Sequence, residues 1–263
     1  MMMKKNYRLI ACLSVSMLLF TGCASGQKPQ ETGAQTTAAP LDAEQTVSER
    51  PSDKKENEKI SIEVKEGQSY EKEEGTLSAK IRRPVLVDQN GTELSINKEI
   101  SEYVDSLIAE YEENKAASEK EEGDVHYAVS NTYEVTHDGE QYFSMYMAAA
   151  RIMGSGSETY QTYTIDKKTG EAVSLRELLG NEETLRLVSE NISAQMEEQM
   201  KEDASVVYFQ ASEGGFSGLT GDESFYLNQD GSLVVVFDEY TVAPGSMGMV
   251  EFTIPTETAG AFR

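Results

Sequence analysis

Residues 224–255 read SFYLNQDGSLVVVFDEYTVAPGSMGMVEFTIP. Two apolar runs, Ser224 to Leu227 and Leu233 to Phe237, flank Asn228-Gln229-Asp230-Gly231. A polar tetrad ending in glycine between such runs is a turn signal, so the runs pair as an antiparallel hairpin. Gly248 to Ile254 supplies a third strand. Between the second and third strands, Tyr240 to Gly248 is longer and more apolar than a hairpin needs. Pro244 fixes one backbone angle there, while Gly245 and Gly248 permit others. Loops held by rigid strands often carry binding function. Tyr240, Val242, Ala243, Pro244, Gly245, Ser246, Met247 and Gly248 are therefore the candidate partner-binding residues. The competing reading is a structural crossover that packs Val242 and Met247 into the core.

Moving towards the N-terminus, a helix runs from about Glu182 to Lys201, with Leu185, Val188, Ile192, Met196 and Met200 at the spacing of one buried face. Ser174-Leu175-Arg176-Glu177 is a capping-box pattern that opens a short helix, and Gly180 stops it. Three strands precede it, at Val125 to Thr136, Gln141 to Met153 and Glu158 to Asp166. His137-Asp138-Gly139-Glu140 reads as a tight turn, and Gly154-Ser155-Gly156 as a loose connection. Ile96, Ile100, Val104, Leu107, Ile108 and Tyr111 mark an earlier helix, which Ser95 or Asn97 could cap. Before it come an alternating strand at Ile60, Ile62 and Val64, a strand from Leu77 to Val87, and a turn at Asp88-Gln89-Asn90-Gly91. Pro84 hints at an edge or bulge. The expected fold is α+β: antiparallel sheets with two main helices in two small consecutive subdomains, 59–170 and 171–258, with 259–263 as a tail.

The start of the chain bears on location. Lys4, Lys5 and Arg8 precede an apolar run from Leu9 to Phe20, and Thr21-Gly22-Cys23 follow. That layout reads as a signal peptide over 1–22 whose cleavage leaves a lipid-accepting Cys23. The run is shorter than the roughly 20 residues that span a bilayer. Residues 23–58 are polar and read as a disordered tether. The folded part would then sit on the extracytoplasmic face of the cytoplasmic membrane. The formal charge is −23, and loss of the three basic residues of 1–22 takes it to −26. Such a surface repels nucleic acid and attracts cationic partners.

Known catalytic and metal-binding patterns are missing. Cys12 and Cys23 are the only cysteines, so nothing beyond Cys23 can form a disulfide or a thiolate site. Two histidines, His126 in a predicted strand and His137 at a predicted turn, make no zinc site. Asp88-Gln89-Asn90-Gly91 and Asn228-Gln229-Asp230-Gly231 resemble fragments of calcium loops but lack the closing glutamate. No nucleophile elbow or phosphate loop occurs, and no cofactor is expected. A carboxylate pair stays available among 46 acidic residues. Glu110, Glu112 and Glu113 read as solvated helix surface.

The 224–255 pattern resembles the RsiV-like extracellular domain family, found in anti-sigma-V factors and in some PdaC-type peptidoglycan deacetylases. Phe225, Leu227, Gly231, Phe237, Tyr240, Ala243, Pro244, Gly248, Ile254 and Pro255 stand at the family's pattern positions. YTIDKKTGEAVSLRELL (163–179) is similar to the lead-in to that domain, and RRPVLVDQNGTELSINKEI (82–100) to its companion domain. The resemblance covers about residues 60–258. It implies a receptor-like module, since the anti-sigma-V members bind lysozyme. Many members carry an aromatic just after Ala-Pro, where Gly245 and Ser246 stand here. Neither a sigma-binding segment nor a deacetylase domain is expected. The expected function is a lipoprotein whose non-catalytic module recognises a lysozyme-like muramidase or cell-wall glycan. The alternatives are a peptidoglycan hydrolase using a carboxylate pair, or a structural or sensory partner of another envelope protein.

Overall fold

A computed structural model describes residues 59–120 and 125–262. The expected signal peptide, Cys23 and the tether lie outside the described residues. Strand β1 (Ile62–Glu66) alternates a buried Ile62 with exposed charges. It pairs antiparallel not with its sequence neighbours but with β4 (Pro84–Asp88). The single strand expected from Leu77 to Val87 is two: β3 (Leu77–Ile81) belongs to a different sheet from β4. The break at Arg82-Arg83 has local causes. Pro84 has no N–H and so opens a strand rather than continuing one. The Arg82 N–H is taken by Asn131 Oδ1 at 2.6 Å. Strand β2 (Tyr70–Glu74), with sequence YEKEE, carries no apolar alternation that would mark it as a strand; it pairs antiparallel with β3 as a charged sheet edge.

Helix α1 (Asn97–Ser118) buries Ile100, Val104, Leu107 and Tyr111, as the spacing predicts. Neither Ser95 nor Asn97 caps it; Ile96 holds the cap position without a side-chain bond. The Asn97 amide instead imitates a strand partner. It accepts from Leu86 N–H at 2.8 Å and donates to Leu86 O at 2.7 Å, which ties the helix to β4.

Strands β5 (Tyr127–Asp138), β6 (Tyr142–Met153), β7 (Ser155–Asp166) and β8 (Glu171–Ala172) complete a six-stranded sheet of order β2-β3-β5-β6-β7-β8. Every pairing is antiparallel except β3–β5, and that parallel pair requires the crossover that β4 and α1 provide. Two expected connections differ. His137 lies inside β5, just past a register shift at Val135/His137, and the turn begins after it. The 154–156 segment is not loose: Gly154, at φ 74°, turns the chain by itself, and Ser155 and Gly156 already pair with Met153 and Ile152. The first core lies between α1 and the sheet, with Ile81, Leu86, Phe143, Met145 and Ile165 fully enclosed.

The second core is built as expected around α2 (Leu175–Leu179) and α3 (Glu182–Glu202). Ser174 and Glu177 form the reciprocal capping box, and Gly180 closes α2 at φ 76°. Strands β9 (Ser224–Leu227), β10 (Leu233–Phe237) and β11 (Val250–Thr253) form an antiparallel sheet of order β11-β10-β9. Leu233, Val235 and Phe252 meet Leu175, Val188 and Ile192 in this core. The side chains of Asn228 and Asp88 are used inside their own turns. Asn228 Oδ1 accepts from Asp230 and Ser232 N–H at 3.0 and 2.9 Å, and Asp88 Oδ1 from Asn90 and Thr92 N–H at 2.8 Å each. Residues after 258 are more than a tail. Thr256–Ala259 forms α4, Phe262 N–H donates to Gly231 O at 3.0 Å, and the Phe262 ring meets Tyr142 edge-on.

The two cores separate between Ile165 and Leu175, yet hydrogen bonds join the halves. Edge strand β9 lies on β6 and β7. Its Phe225 N–H donates to Thr162 Oγ1 at 3.2 Å and its Leu227 N–H to Ser144 Oγ at 3.0 Å. Buried His137 adds a third bond, from Nδ1–H to Asn228 O at 3.1 Å.

Candidate binding surface

After Phe237 the chain leaves β10 through a short turn in which Thr241 N–H donates to Asp238 O at 3.1 Å. Tyr240 occupies that turn at φ 66°, the one non-glycine residue with positive φ among the described residues. A left-handed conformation costs an L-residue roughly 1–2 kcal/mol. Tyr240 is nonetheless 70% exposed, so its ring gains little from burial. Gly245 accommodates it: a Cβ there would stand 2.2 Å from the Tyr240 Cζ and hydroxyl.

The segment that follows is fixed from below. Val242 and Ala243 are buried in the second core, and Phe209 N–H donates to Val242 O at 2.8 Å. Both residues are candidates for partner contact by sequence; their burial places them beneath the loop as its support. Pro244 leads into a single 3-10 turn over Gly245–Met247, closed by Met247 N–H to Pro244 O at 2.8 Å. Met247 packs partly on the core, while Ser246 is exposed. Gly248 leaves the turn at φ 66°. Of the eight candidates, Tyr240 and Ser246 face solvent most fully. Pro244, Gly245, Met247 and Gly248 are half-buried around them.

Several titratable groups elsewhere are committed to structure. Glu110, expected on a solvated face, is bonded by Arg151 Nε, with both oxygens at 2.9 Å, and by the Tyr127 hydroxyl. Glu112 accepts from the Tyr70 hydroxyl. Burial raises the pKa of Asp238 and of Glu251, and neither is among the charges that shift the other. His126 is exposed just ahead of β5 rather than within a strand. Burial lowers the pKa of His137. Among the described residues, no group of three or more His, Cys, Asp or Glu side chains is placed to hold a metal. No helix among them is long and apolar enough to cross a membrane.

Comparison with known proteins finds matches for both halves of the chain. Residues 70–155 match the family described as deacetylase PdaC, and residues 178–257 match a protein family of unknown function, DUF3298. The anti-sigma-V factor RsiV of Bacillus subtilis (strain 168) is 33% identical over 199 residues, which cover 74% of this chain and 66% of that protein. The chain thus carries both domains of the RsiV-like/PdaC-like family, one in each half. It spans just under two thirds of that relative's length. A DUF3298 family protein from Pseudomonas aeruginosa PAO1 has a solved structure that is 14% identical, with 79% of this chain and 96% of that one covered at a TM-score of 0.49. The corresponding values for a family member from Bacteroides fragilis NCTC 9343 are 15%, 75%, 91% and 0.47.

Proposed function

We propose that this chain is a lipid-anchored receptor of the cell envelope, a non-catalytic module that recognises a basic, lysozyme-like muramidase outside the cytoplasmic membrane. The observation that carries the reading is the Tyr240 loop. An aromatic side chain is held out to solvent in an unfavourable backbone conformation, on a segment rooted in the core through Val242 and Ala243. Strain of this kind, retained where burial gives little in return, is a mark of functional sites. A rigid aromatic is also the side chain most often found at the energetic centre of an interface. Family membership supports a receptor role, and the charge of −23 supports a cationic partner whose approach it would accelerate. Cys23 would supply the anchor by carrying the lipid.

The test uses bacteria expressing the full chain. Their washed membranes are predicted to retain added basic c-type lysozyme. A Cys23→Ser chain is predicted to leave the membrane fraction and take that capacity with it. Membranes that retain no more lysozyme than those lacking the chain would refute the reading. A Cys23→Ser chain still held by the membrane would refute the anchor.

A further inference from the structure

The face of the six-stranded sheet turned away from α1 is floored by short side chains. Ser78 pairs with Ala128 and Ser130 with Ala150 on that face, while their neighbours Ala79, Val129 and Ala149 point into the first core. Over Ser78 and Ser130 the floor opens into a depression of ≈ 370 Å³, which Lys72 and Lys80 line together with Glu71 and Glu73, so the net negative charge lies at the other end of the face. At that end stands a wall of three half-buried tyrosines. The rings of Tyr146 and Tyr160 stack with centroids 4.3 Å apart and planes at 10°, and Tyr226 of β9 leans on Tyr146 at 5.5 Å. Three carboxylates surround the wall. Glu134 accepts from the Tyr146 hydroxyl at 2.8 Å, Glu251 from the Tyr226 hydroxyl at 3.3 Å, and Glu158 lies two residues before Tyr160.

None of these carboxylates belongs to an ion pair among the described residues. Burial first, and then the charges of Glu158, Glu251 and Glu134, raise the pKa of the Tyr160 hydroxyl, so the field of all three converges on one ring. A neutral sugar could stack on the tyrosines, but it would leave that negative potential uncompensated. A guanidinium or ammonium satisfies both features, since its charge is attracted to carboxylates and to the face of an aromatic ring alike.

We infer that the wall of Tyr146, Tyr160 and Tyr226 with Glu134, Glu158 and Glu251 is a docking surface for a basic protein, distinct from the Tyr240 loop, that seats an arginine or lysine against Tyr160. The inference rests on the proposed reading of the chain as a receptor for a basic partner. It assigns that partner a second point of contact, where β6 and β7 of the first half meet β9 and β11 of the second.

Calorimetric titration of the full chain in mild detergent tests it with three probes: a basic c-type lysozyme, a hexa-arginine peptide and a soluble peptidoglycan oligosaccharide. The double variant Glu134→Gln/Glu158→Gln changes two exposed side chains outside both cores. It is expected to weaken lysozyme and hexa-arginine binding by about tenfold, and Tyr160→Ala by a similar factor, whereas Tyr160→Phe keeps the ring and stays within about twofold. Tyr240→Gly is expected to weaken lysozyme alone. Lysozyme and hexa-arginine binding equal in the parent and the double variant would overturn this surface while leaving the receptor reading intact. A parent that ignores lysozyme but binds hexa-arginine through Glu134 and Glu158 would support the surface and overturn the muramidase as partner. Oligosaccharide binding lost in Tyr160→Ala and indifferent to the carboxylates would overturn the surface in favour of a glycan site, and a parent that binds none of the probes would overturn it outright.

Discussion

Replacing Tyr240 by glycine separates the stability of the loop from its function. Tyr240 holds φ at 66°, a conformation that costs a side-chain-bearing residue roughly 1–2 kcal/mol and glycine nothing. Against that gain, glycine makes the unfolded chain more flexible, a loss of about 0.5–1 kcal/mol. The ring, 70% exposed, contributes little burial. The balance for Tyr240→Gly is therefore from neutral to about 1.5 kcal/mol more stable. Lysozyme affinity is predicted to fall at least about tenfold, because an aromatic anchor is lost. Gly245→Ala provides the complement. Its methyl would stand 2.2 Å from the Tyr240 ring, which must swing away. Displacing an exposed ring costs about 1 kcal/mol, the low end of overpacking, and that cost should vanish in the Tyr240→Gly background. Urea unfolding followed by circular dichroism gives the stabilities, and calorimetry gives the affinities. A Tyr240→Gly chain destabilised by well over 1 kcal/mol would show that the ring staples the loop. Unchanged lysozyme affinity would show that the loop is not the contact.

Three further predictions concern the joint between the halves and the chain's end. Ser144→Ala leaves the buried Leu227 N–H without its acceptor and should cost about 1–3 kcal/mol in urea unfolding; a loss under about 0.5 kcal/mol would mean that the joint contributes nothing. His137 is held neutral by burial, so its folded pKa lies below the ordinary 6.5 of the unfolded chain. The unfolded state then binds the proton first, and the stabilisation, complete above about pH 6.5, is lost as pH falls through that value towards the folded pKa. Stability measured from pH 8 downwards should fall more steeply in the parent than in His137→Gln, and parallel curves would refute this. Gly231→Ala adds a methyl 2.3 Å from Phe262 O at a φ of 76°, and should lower stability by about 1–3 kcal/mol and release the C-terminal residues to proteolysis.

Elements whose partners are near in sequence were legible in it. The hairpin of β9 and β10 declares itself by two apolar runs around a glycine-ended turn, and α1 and α3 by apolar spacing. The α2 cap shows in four consecutive residues, Ser174 to Glu177. What stayed hidden depends on distant partners. Leu77 to Val87 reads as one strand because only the pairing of β4 with β1, and the capture of Arg82 N–H by Asn131, divide it. Tyr70 to Glu74 becomes a strand because β3 offers it a ladder, not because of its own pattern. His137 looks like a turn residue until its Nδ1–H finds the backbone carbonyl of Asn228, 91 positions later, as a hydrogen-bond acceptor. At the candidate site, Tyr240 and the glycines around it were visible in the sequence. Tertiary packing alone decides that Val242 and Ala243 turn inward. The tyrosine wall draws on three strands and had no linear signal.

The most direct measurement is a calorimetric titration of the full chain with a basic c-type lysozyme at low and at moderate salt. Shape and apolar contact through the Tyr240 loop predict saturable binding that weakens but persists at moderate salt, since screening removes only the long-range attraction. Binding that is absent, or that disappears entirely at moderate salt, would contradict a lysozyme receptor and leave only the attraction between an acidic chain and a basic protein.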